Sequence, residues 1–320
     1  MSAELGVVIV NYRTAGLTVD CLRSLAPEVA ATPATRVVVV DNGSEDGSLE
    51  RIAAAIATEG WGAWARAVPA GGNRGFSAGN NVGLLALLGE PDPPAWLLLL
   101  NPDTLVRPGA LRALLDLGDA TPRAGIVGSR LESLDGAPQR SAFRFPSLGG
   151  ELDRGLRLAR FGRWLHRGGP PAFPAAACRV DWVSGASLMI RRAALVEIGP
   201  LDEGFFLYFE EVDLCRRARR AGWECWHQPA ARVAHLEGQA TGVTLGGTER
   251  RTSPWILESR RRFLVKHHGL AFAALADLAW ISAHLLWRLG MWLRRQPAPV
   301  APHLLSDFLR HSVFTRGGRP

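Results

Sequence analysis

Hydrophobic residues in this chain fall in short unbroken runs, separated by stretches with helical spacing. Leu5 to Val10 is a largely β-branched run that ends at Asn11-Tyr12, as in a strand buried on both faces. Thr14 to Leu25 puts Leu17, Cys21, Leu22 and Leu25 on one helical face. Arg36 to Val40 predicts a second buried strand, stopped by Asp41-Asn42-Gly43-Ser44, and Ser48 to Ala57 a second helix. Val68 belongs to a short third strand. Gly71 to Gly79 is glycine-rich and leads into an apolar helix expected over 80–88. Trp96 to Leu100 predicts a fourth buried strand, ended by Asn101-Pro102-Asp103. This alternation is that of βαβ units and predicts a mostly parallel sheet covered on both faces. Ligands of such sheets bind at the carboxyl ends of the strands, where Asp41 and Asp103 fall.

From about residue 119 to 178 the pattern loosens. Arg154, Arg157, Arg160, Arg163 and Arg167 recur among Leu152, Leu156, Trp164 and Leu165, so a helix there has a basic face and an apolar one. Trp182 to Ile190 predicts a strand, Glu211 to Ala221 a helix, and Ala231 to Ala234 another strand. Beyond about Glu249 the chain reads as helical. Two regions are expected, 1–249 and 250–320.

Composition changes this picture mainly at the second region. With 320 residues and 47% hydrophobic content the chain has ample core and is not disordered. The formal charge is +7, and its excess is concentrated at one end. Residues 250–320 hold eleven arginines and Lys266, the only lysine of the chain, against Glu258, Asp277 and Asp307. The segment from Leu270 to Leu293 is apolar and carries Trp280, Trp287 and Trp292. Asp277, His284, Arg288 and Arg295 fall along one stripe of it. Two readings of this basic amphipathic helix stand: it lies in a membrane interface, in contact with anionic lipid rather than nucleic acid, or it packs on the catalytic domain as ordinary core. The four cysteines show no C-x-x-C spacing, so free thiols in a reducing cytosol are expected. Met1-Ser2-Ala3-Glu4 runs straight into a strand, unlike a signal peptide.

Some residues carry candidate chemistry. Asp41 ends a buried strand, where a carboxylate can accept the imide N–H of a pyrimidine; Asn-Gly-Ser after it equally favours an Asx turn. Asp103, at the tip of an apolar strand, suits a hard divalent cation bridging two phosphates, although Asn-Pro-Asp is also good turn chemistry. Asn73 to Asn81 is a glycine-containing loop opening a helix, as at phosphate sites. It is neither a Walker A loop nor a dinucleotide fingerprint. Glu210-Glu211-Val212-Asp213 lies between Phe205, Phe206, Tyr208 and Phe209 and an arginine-rich helix. Desolvation beside aromatic rings raises a carboxyl pKa and makes a general base; acids at a helix N-terminus also complement its dipole, with Asp213 and Arg217 at pairing distance. His235 follows a strand and is either structural or a metal ligand.

In this order the stretches Val7-Val8-Ile9-Val10-Asn11-Tyr12, Val39-Val40-Asp41-Asn42-Gly43-Ser44, Asn73 to Gly83, Leu99-Leu100-Asn101-Pro102-Asp103, Trp182-Val183-Ser184-Gly185-Ala186 and Phe205 to Arg216 resemble the inverting family-2 glycosyltransferases, most closely the bacterial rhamnosyltransferase-like branch. The resemblance spans roughly residues 5 to 240. It implies an α/β GT-A fold, with a catalytic domain over 1–249 and a helical C-terminal extension. It implies a nucleoside-diphosphate sugar donor (dTDP- or UDP-linked, rhamnose favoured), Mg²⁺ or Mn²⁺, and a cell-envelope or lipid-linked glycan acceptor. By the resemblance Asp41 holds the pyrimidine, and Asp103 and His235 bind the metal. Asn11, Asn73, Gly75, Phe76, Asn81 and Asn101 line the donor pocket. Trp182 and Gly185 lie near the transferred sugar and the acceptor. Glu211 stands where the family usually has an Asp as base, with Glu210 as the alternative. Asn101 replaces the first carboxylate of a D-x-D motif, which leaves the metal one charged ligand fewer. The implied place of action is the cytoplasmic face of the plasma membrane. Two other readings are a nucleotidyltransferase, which would want a lysine near the phosphates, and a non-catalytic sugar-nucleotide-binding scaffold.

Overall fold

The computed structural model describes residues 5–32, 34–157, 173–236, 251–297 and 300–318. Its strands are β1 (Leu5–Asn11), β2 (Thr35–Asp41), β3 (Ala65–Pro69), β4 (Trp96–Leu100), β5 (Thr104–Val106), β6 (Ala124–Glu132), β7 (Ala142–Phe143), β8 (Cys178–Val180), β9 (Trp182–Val183), β10 (Ser187–Arg191) and β11 (Glu224–His235). Its helices are α1 (Ala15–Ala31), α2 (Ser48–Thr58), α3 (Phe76–Leu88), α4 (Ala110–Ala120), α5 (Leu148–Leu156), α6 (Arg192–Ile198), α7 (Glu210–Arg220), α8 (Pro254–Leu293), α9 (Leu304–His311) and α10 (Val313–Arg316).

The main sheet runs β3-β2-β1-β4-β10-β6-β11-β5, with β8 also on β11. Its first four strands are parallel, as the βαβ rhythm requires. Beyond them the sheet is mixed: β10 is antiparallel to β4 and β6, β11 is parallel to β6, and β5 is antiparallel to β11. The cause lies in the stretch expected to be one strand from Trp182 to Ile190. It is broken at 184–186. Residues 182–183 pair with β7 in a separate ribbon, and Ser187 starts β10 opposite Leu100, where β4 ends. A strand that starts where its neighbour ends must run backwards, since parallel pairing needs a long crossover to the far edge.

Both faces of β1, β2 and β4 are buried, and Val, Ile and Leu from these strands form the centre of the core. Helix α3 lies close on this layer because Gly83 has no side chain; a Cβ there would stand 2.4 Å from Val8 Cγ1. The helix starts at Phe76, four residues before the predicted start, so Ser77 to Asn81 belong to its first turns.

Chain contacts divide the molecule into two compact units. One takes in residues 1–144, 170–206 and 210–244 and holds the sheet and every candidate site residue. The other takes in 145–169, 207–209 and 245–320. Within this helical unit α8 breaks at Gly269, whose φ is 82°. Arg260 is buried between two carboxylates, with Nη1 2.6 Å from Asp277 Oδ1 and Nη2 3.0 Å from Glu151 Oε2. Asp277 Oδ2 also accepts the Val313 N–H at 2.9 Å. Trp280 stacks on Phe308 and on His284. The polar stripe expected to face outward is thus turned inward at Asp277 and His284, each 1% exposed: Asp277 meets Arg260 and the Val313 N–H, and His284 stacks between Trp280 and Trp287. The outward face carries Leu275, Leu278, Leu285, Leu286, Leu289 and Leu293 instead. Of the basic helix expected over 154–167, the part before residue 158 lies in and just beyond α5; the remainder lies outside the described residues.

Candidate active site

The carboxyl ends of β1, β2 and β4 define one edge of the sheet. Asn11 and Asp41 are cross-strand partners at this edge. Asn11 Nδ2 donates to Asp41 Oδ1 at 2.7 Å and to Ser44 Oγ at 3.1 Å. Its Oδ1 accepts from the Thr14 N–H and hydroxyl and from the Thr18 hydroxyl. Ser44 donates its hydroxyl to Asp41 Oδ1 at 2.5 Å and its N–H to Oδ2 at 3.1 Å. The turn expected after Asp41 therefore forms and orients the carboxylate. Asn11 is the brace of this arrangement, with both ends of its amide in use.

The glycine-containing loop is a clamp on the segment that leads to the acidic pair. Gly75 has φ 98°, and a Cβ on it would meet Phe206 O at 2.5 Å. The Phe76 N–H donates to Phe206 O at 2.7 Å and Ser77 Oγ to Phe205 O at 2.6 Å. Asn81 Nδ2 donates to Leu201 O and Glu203 Oε1, while its Oδ1 accepts the Leu201 N–H. Asn73 Oδ1 accepts from Gly75 N–H and Asn42 Nδ2. Phe76 N–H and the Asn81 amide are thus occupied within the protein, whereas Asn73 is exposed to solvent.

Asn101 follows β4 and donates its N–H to Ala186 O at 3.0 Å. Its side-chain Oδ1 is buried without a hydrogen-bond partner among the described residues. Asp103 is 2% exposed, and its Oδ1 lies 3.4 Å from His235 Nε2. Their meeting follows from the sheet, since Thr104 on β5 is the register partner of His235 on β11. Among the described residues no three His, Cys, Asp or Glu side chains form a ready metal cage. The donor set that is present, a carboxylate, an imidazole and an orphaned amide oxygen, still fits a hard cation that takes its other oxygens from a substrate.

Glu210 and Glu211 open α7. Glu210 is 5% exposed, and burial followed by the charge of Glu211 pushes its carboxyl well above the usual carboxylate range. Glu211 is half-buried and lies against Gly185, where a Cβ would be 3.5 Å from its own Cβ. The Asp213–Arg217 pair forms at 2.8 Å, and Arg217 also donates to the carbonyls of Ile198, Gly199 and Pro200. It anchors the helix and is not part of the reactive edge. Trp182 donates Nε1–H to Arg144 O at 2.7 Å and stacks on Phe143.

Neighbour by neighbour, the edge runs from Asp41 to Asn11, then to Asn101 at the end of β4. Asn101 bonds Ala186, Gly185 precedes Ala186, and Glu211 covers Gly185; Asp103, just before β5, and His235, at the end of β11, follow. Ser44 and Thr18, which fix Asp41 and Asn11, are not singled out by the sequence: Ser44 appears only within the quoted turn motif and Thr18 only within the predicted first helix.

A family model described as glycosyltransferase like family 2 matches residues 3–257. The chain belongs to that family. It is 30% identical over 302 residues to the N-acetylglucosaminyl-diphospho-decaprenol L-rhamnosyltransferase of Mycobacterium tuberculosis, covering 90% of each chain. It is 28% identical over 228 residues to the low-salt glycan biosynthesis hexosyltransferase of Haloferax volcanii, covering 69% of this chain and 63% of that one. Among solved structures it shares the fold of a Pyrobaculum calidifontis mannosyltransferase in complex with GDP-mannose and Mn²⁺, with a TM-score of 0.57 at 16% identity over 99% of this chain and 84% of that one. This family-2 glycosyltransferase has a GT-A-type fold with a mixed sheet, and its strand-end residues stand where such a fold takes its ligands. Neither the nucleotidyltransferase nor the scaffold reading gains support from these relatives.

Proposed function

We propose that this glycosyltransferase moves a sugar, rhamnose first among candidates, from a pyrimidine nucleoside diphosphate to a hydroxyl of a diphospholipid-linked glycan. The observation that carries the reading is the placement of Glu211 against Gly185, on the same sheet edge as the Asn11–Asp41 and Asp103–His235 pairs. The similarity to a rhamnosyltransferase named for a lipid-linked amino sugar supports the sugar and the acceptor class.

Asp41, oriented by Asn11 and Ser44, receives the base. Asp103 and His235 would hold Mg²⁺ or Mn²⁺, with Asn101 Oδ1 within the same strand-end turn. When bound, the cation neutralises charge on the departing diphosphate. Glu211 accepts the proton of the acceptor hydroxyl as its oxygen attacks the anomeric carbon. The new C–O bond forms opposite the breaking bond to the nucleoside diphosphate, so the configuration inverts. Burial and the charge of Glu211 push the Glu210 carboxyl up and disfavour its charged form, and Glu211 is the carboxylate that faces Gly185. A glutamate in place of an aspartate extends the base by about an ångström, which sets the acceptor hydroxyl correspondingly farther from the helix.

We place the reaction at the cytoplasmic face of a membrane; the largely leucine outward face of α8 between residues 275 and 293 supports the membrane contact. Two exposed residues in this stretch are polar: Ser282, which turns its hydroxyl back to Leu278 O at 2.7 Å, and Arg288. Thermal-shift titration with dTDP-rhamnose, UDP-galactose, UDP-glucose and GDP-mannose, each with Mg²⁺, Mn²⁺ or EDTA, tests the donor. Metal-dependent stabilisation by dTDP-rhamnose is expected; a preference for GDP-mannose would overturn the role given to Asp41.

A further inference from the structure

The β7–β9 ribbon stands outside the main sheet and carries an aromatic stack. Phe143 and Trp182 are register partners, their rings 4.1 Å apart at 13°. The Arg140 guanidinium lies over the Phe143 ring, 5.3 Å from its centroid. Both rings are half-buried, and Arg140 beside them is exposed. Two fixings tie the ribbon to the reactive carboxylate. Ser184 N–H donates to Ser141 O at 3.1 Å, holding the turn at Gly185 against Glu211. Asp181, just before Trp182, pairs with Arg219 of α7 at 2.5 Å, and α7 is the helix that begins with Glu210 and Glu211.

The side of the edge is decisive. The nucleotide groups, Asn11 and Asp41, end β1 and β2, whereas the ribbon leads into β10, across β4 from them. Glu211 stands beside the turn that joins ribbon to sheet. A group approaching Glu211 from the ribbon meets it from the side away from the nucleotide pair, as an incoming hydroxyl must in an in-line displacement. Aromatic faces bind the apolar face of a sugar ring, and a guanidinium over an aromatic ring is pre-oriented for a phosphate fork.

We propose that Arg140, Phe143 and Trp182 form the acceptor subsite, with the acceptor sugar packed on the face of Trp182 turned away from Phe143, Phe143 backing that ring, and the diphosphate on Arg140. Family resemblance puts Trp182 near the acceptor; Phe143 and Arg140 are assigned by the stack itself. The proposal rests on the acceptor class proposed above. A purely structural brace would make the same contacts, but its loss would lower stability without altering acceptor selectivity.

The test uses the full chain and a short-chain N-acetylglucosaminyl diphosphoprenol, with free N-acetylglucosamine and the sugar-free prenyl diphosphate as partial probes. Binding is measured by calorimetry for wild type, Phe143→Leu, Phe143→Tyr and Arg140→Ala, and folding by thermal melting. Phe143→Leu should weaken the complete probe about tenfold, and Phe143→Tyr should restore it. Arg140→Ala should weaken both diphosphate probes and leave the weak binding of the free sugar untouched. In turnover, the acceptor KM should rise in both loss variants far more than the donor KM. Binding of the complete probe within twofold of wild type in folded Phe143→Leu and Arg140→Ala, or its failure to bind wild type, overturns the subsite. Binding that depends on the stack without sugar transfer from any donor overturns the proposed reaction and leaves the subsite standing.

Discussion

Glu210 and Glu211 are adjacent in sequence but differ in surroundings, and the difference assigns their roles. Glu210 is buried, and desolvation followed by the charge of its neighbour pushes its carboxyl well above the usual carboxylate range. A carboxyl whose folded pKa lies above its unfolded one favours the fold at low pH and costs stability once pH rises above the unfolded value. Glu210→Gln, neutral at every pH, should therefore raise the melting temperature at pH 8, with the gap closing towards pH 4; an unchanged or lowered melting temperature at pH 8 contradicts the assignment. His227 shows the opposite sign. It is 1% exposed, its Nε2 lies 3.1 Å from Ser141 Oγ, and burial followed by the nearby Arg130 charge lowers its pKa from 6.5 to about 4. The unfolded chain takes up the proton first as pH falls. Stability is thus complete above about pH 6.5 and is lost between there and pH 4, by up to about 3 kcal/mol. Urea titrations across this window should show that slope, and His227→Gln should flatten it.

At the scale of elements, the strand-end residues were legible in the sequence because buried parallel strands have unmistakable runs and end at polar turns. The positions of Asp41, Asp103 and Glu211 followed from those runs and from family resemblance. The pairing of Asp103 with His235 was implied by resemblance alone; its physical basis is the β5–β11 register, which joins residues too far apart for any local pattern to relate. The break at 184–186 has a local signal that the expectation of one strand passes over: Ser184-Gly185 interrupts the apolar residues and is turn chemistry, and β9 and β10 then pair with different partners. The stretch 73–81 looked like a phosphate loop, since glycine and asparagine serve both uses, but in the fold most of its groups fasten residues 201–206. Gly75→Ala should accordingly push the Phe206 backbone away and cost about 1–3 kcal/mol, as strained left-handed residues do, while slowing turnover because that segment leads into Glu210. Denaturant unfolding beside steady-state kinetics checks both effects; a stable variant with undiminished turnover contradicts the clamp.

At the scale of the whole molecule, the basic charge and the apolar helix face belong to the helical unit, and the chemistry belongs to the sheet unit. Arg260 and Asp277 lock the two halves of α8 together, so cutting the chain at 268 would unfold the unit as well as remove the face. Leu278→Glu with Leu285→Glu and Leu289→Glu is the cleaner probe. These side chains are about half exposed, so the triple variant should fold, yet its sedimentation with anionic vesicles should fall at least tenfold; undiminished sedimentation contradicts a membrane role for this face. The central claim concerns the sheet unit: one edge that binds a nucleotide-sugar and a carboxylate that takes the acceptor proton. It is tested most directly by sugar transfer from dTDP-rhamnose to the diphosphoprenol acceptor in Mn²⁺, comparing wild type with Glu211→Gln at matched donor saturation. Turnover by the variant is expected to be slower by roughly a hundredfold or more, with donor affinity within about twofold of wild type; wild-type turnover by Glu211→Gln would contradict the account.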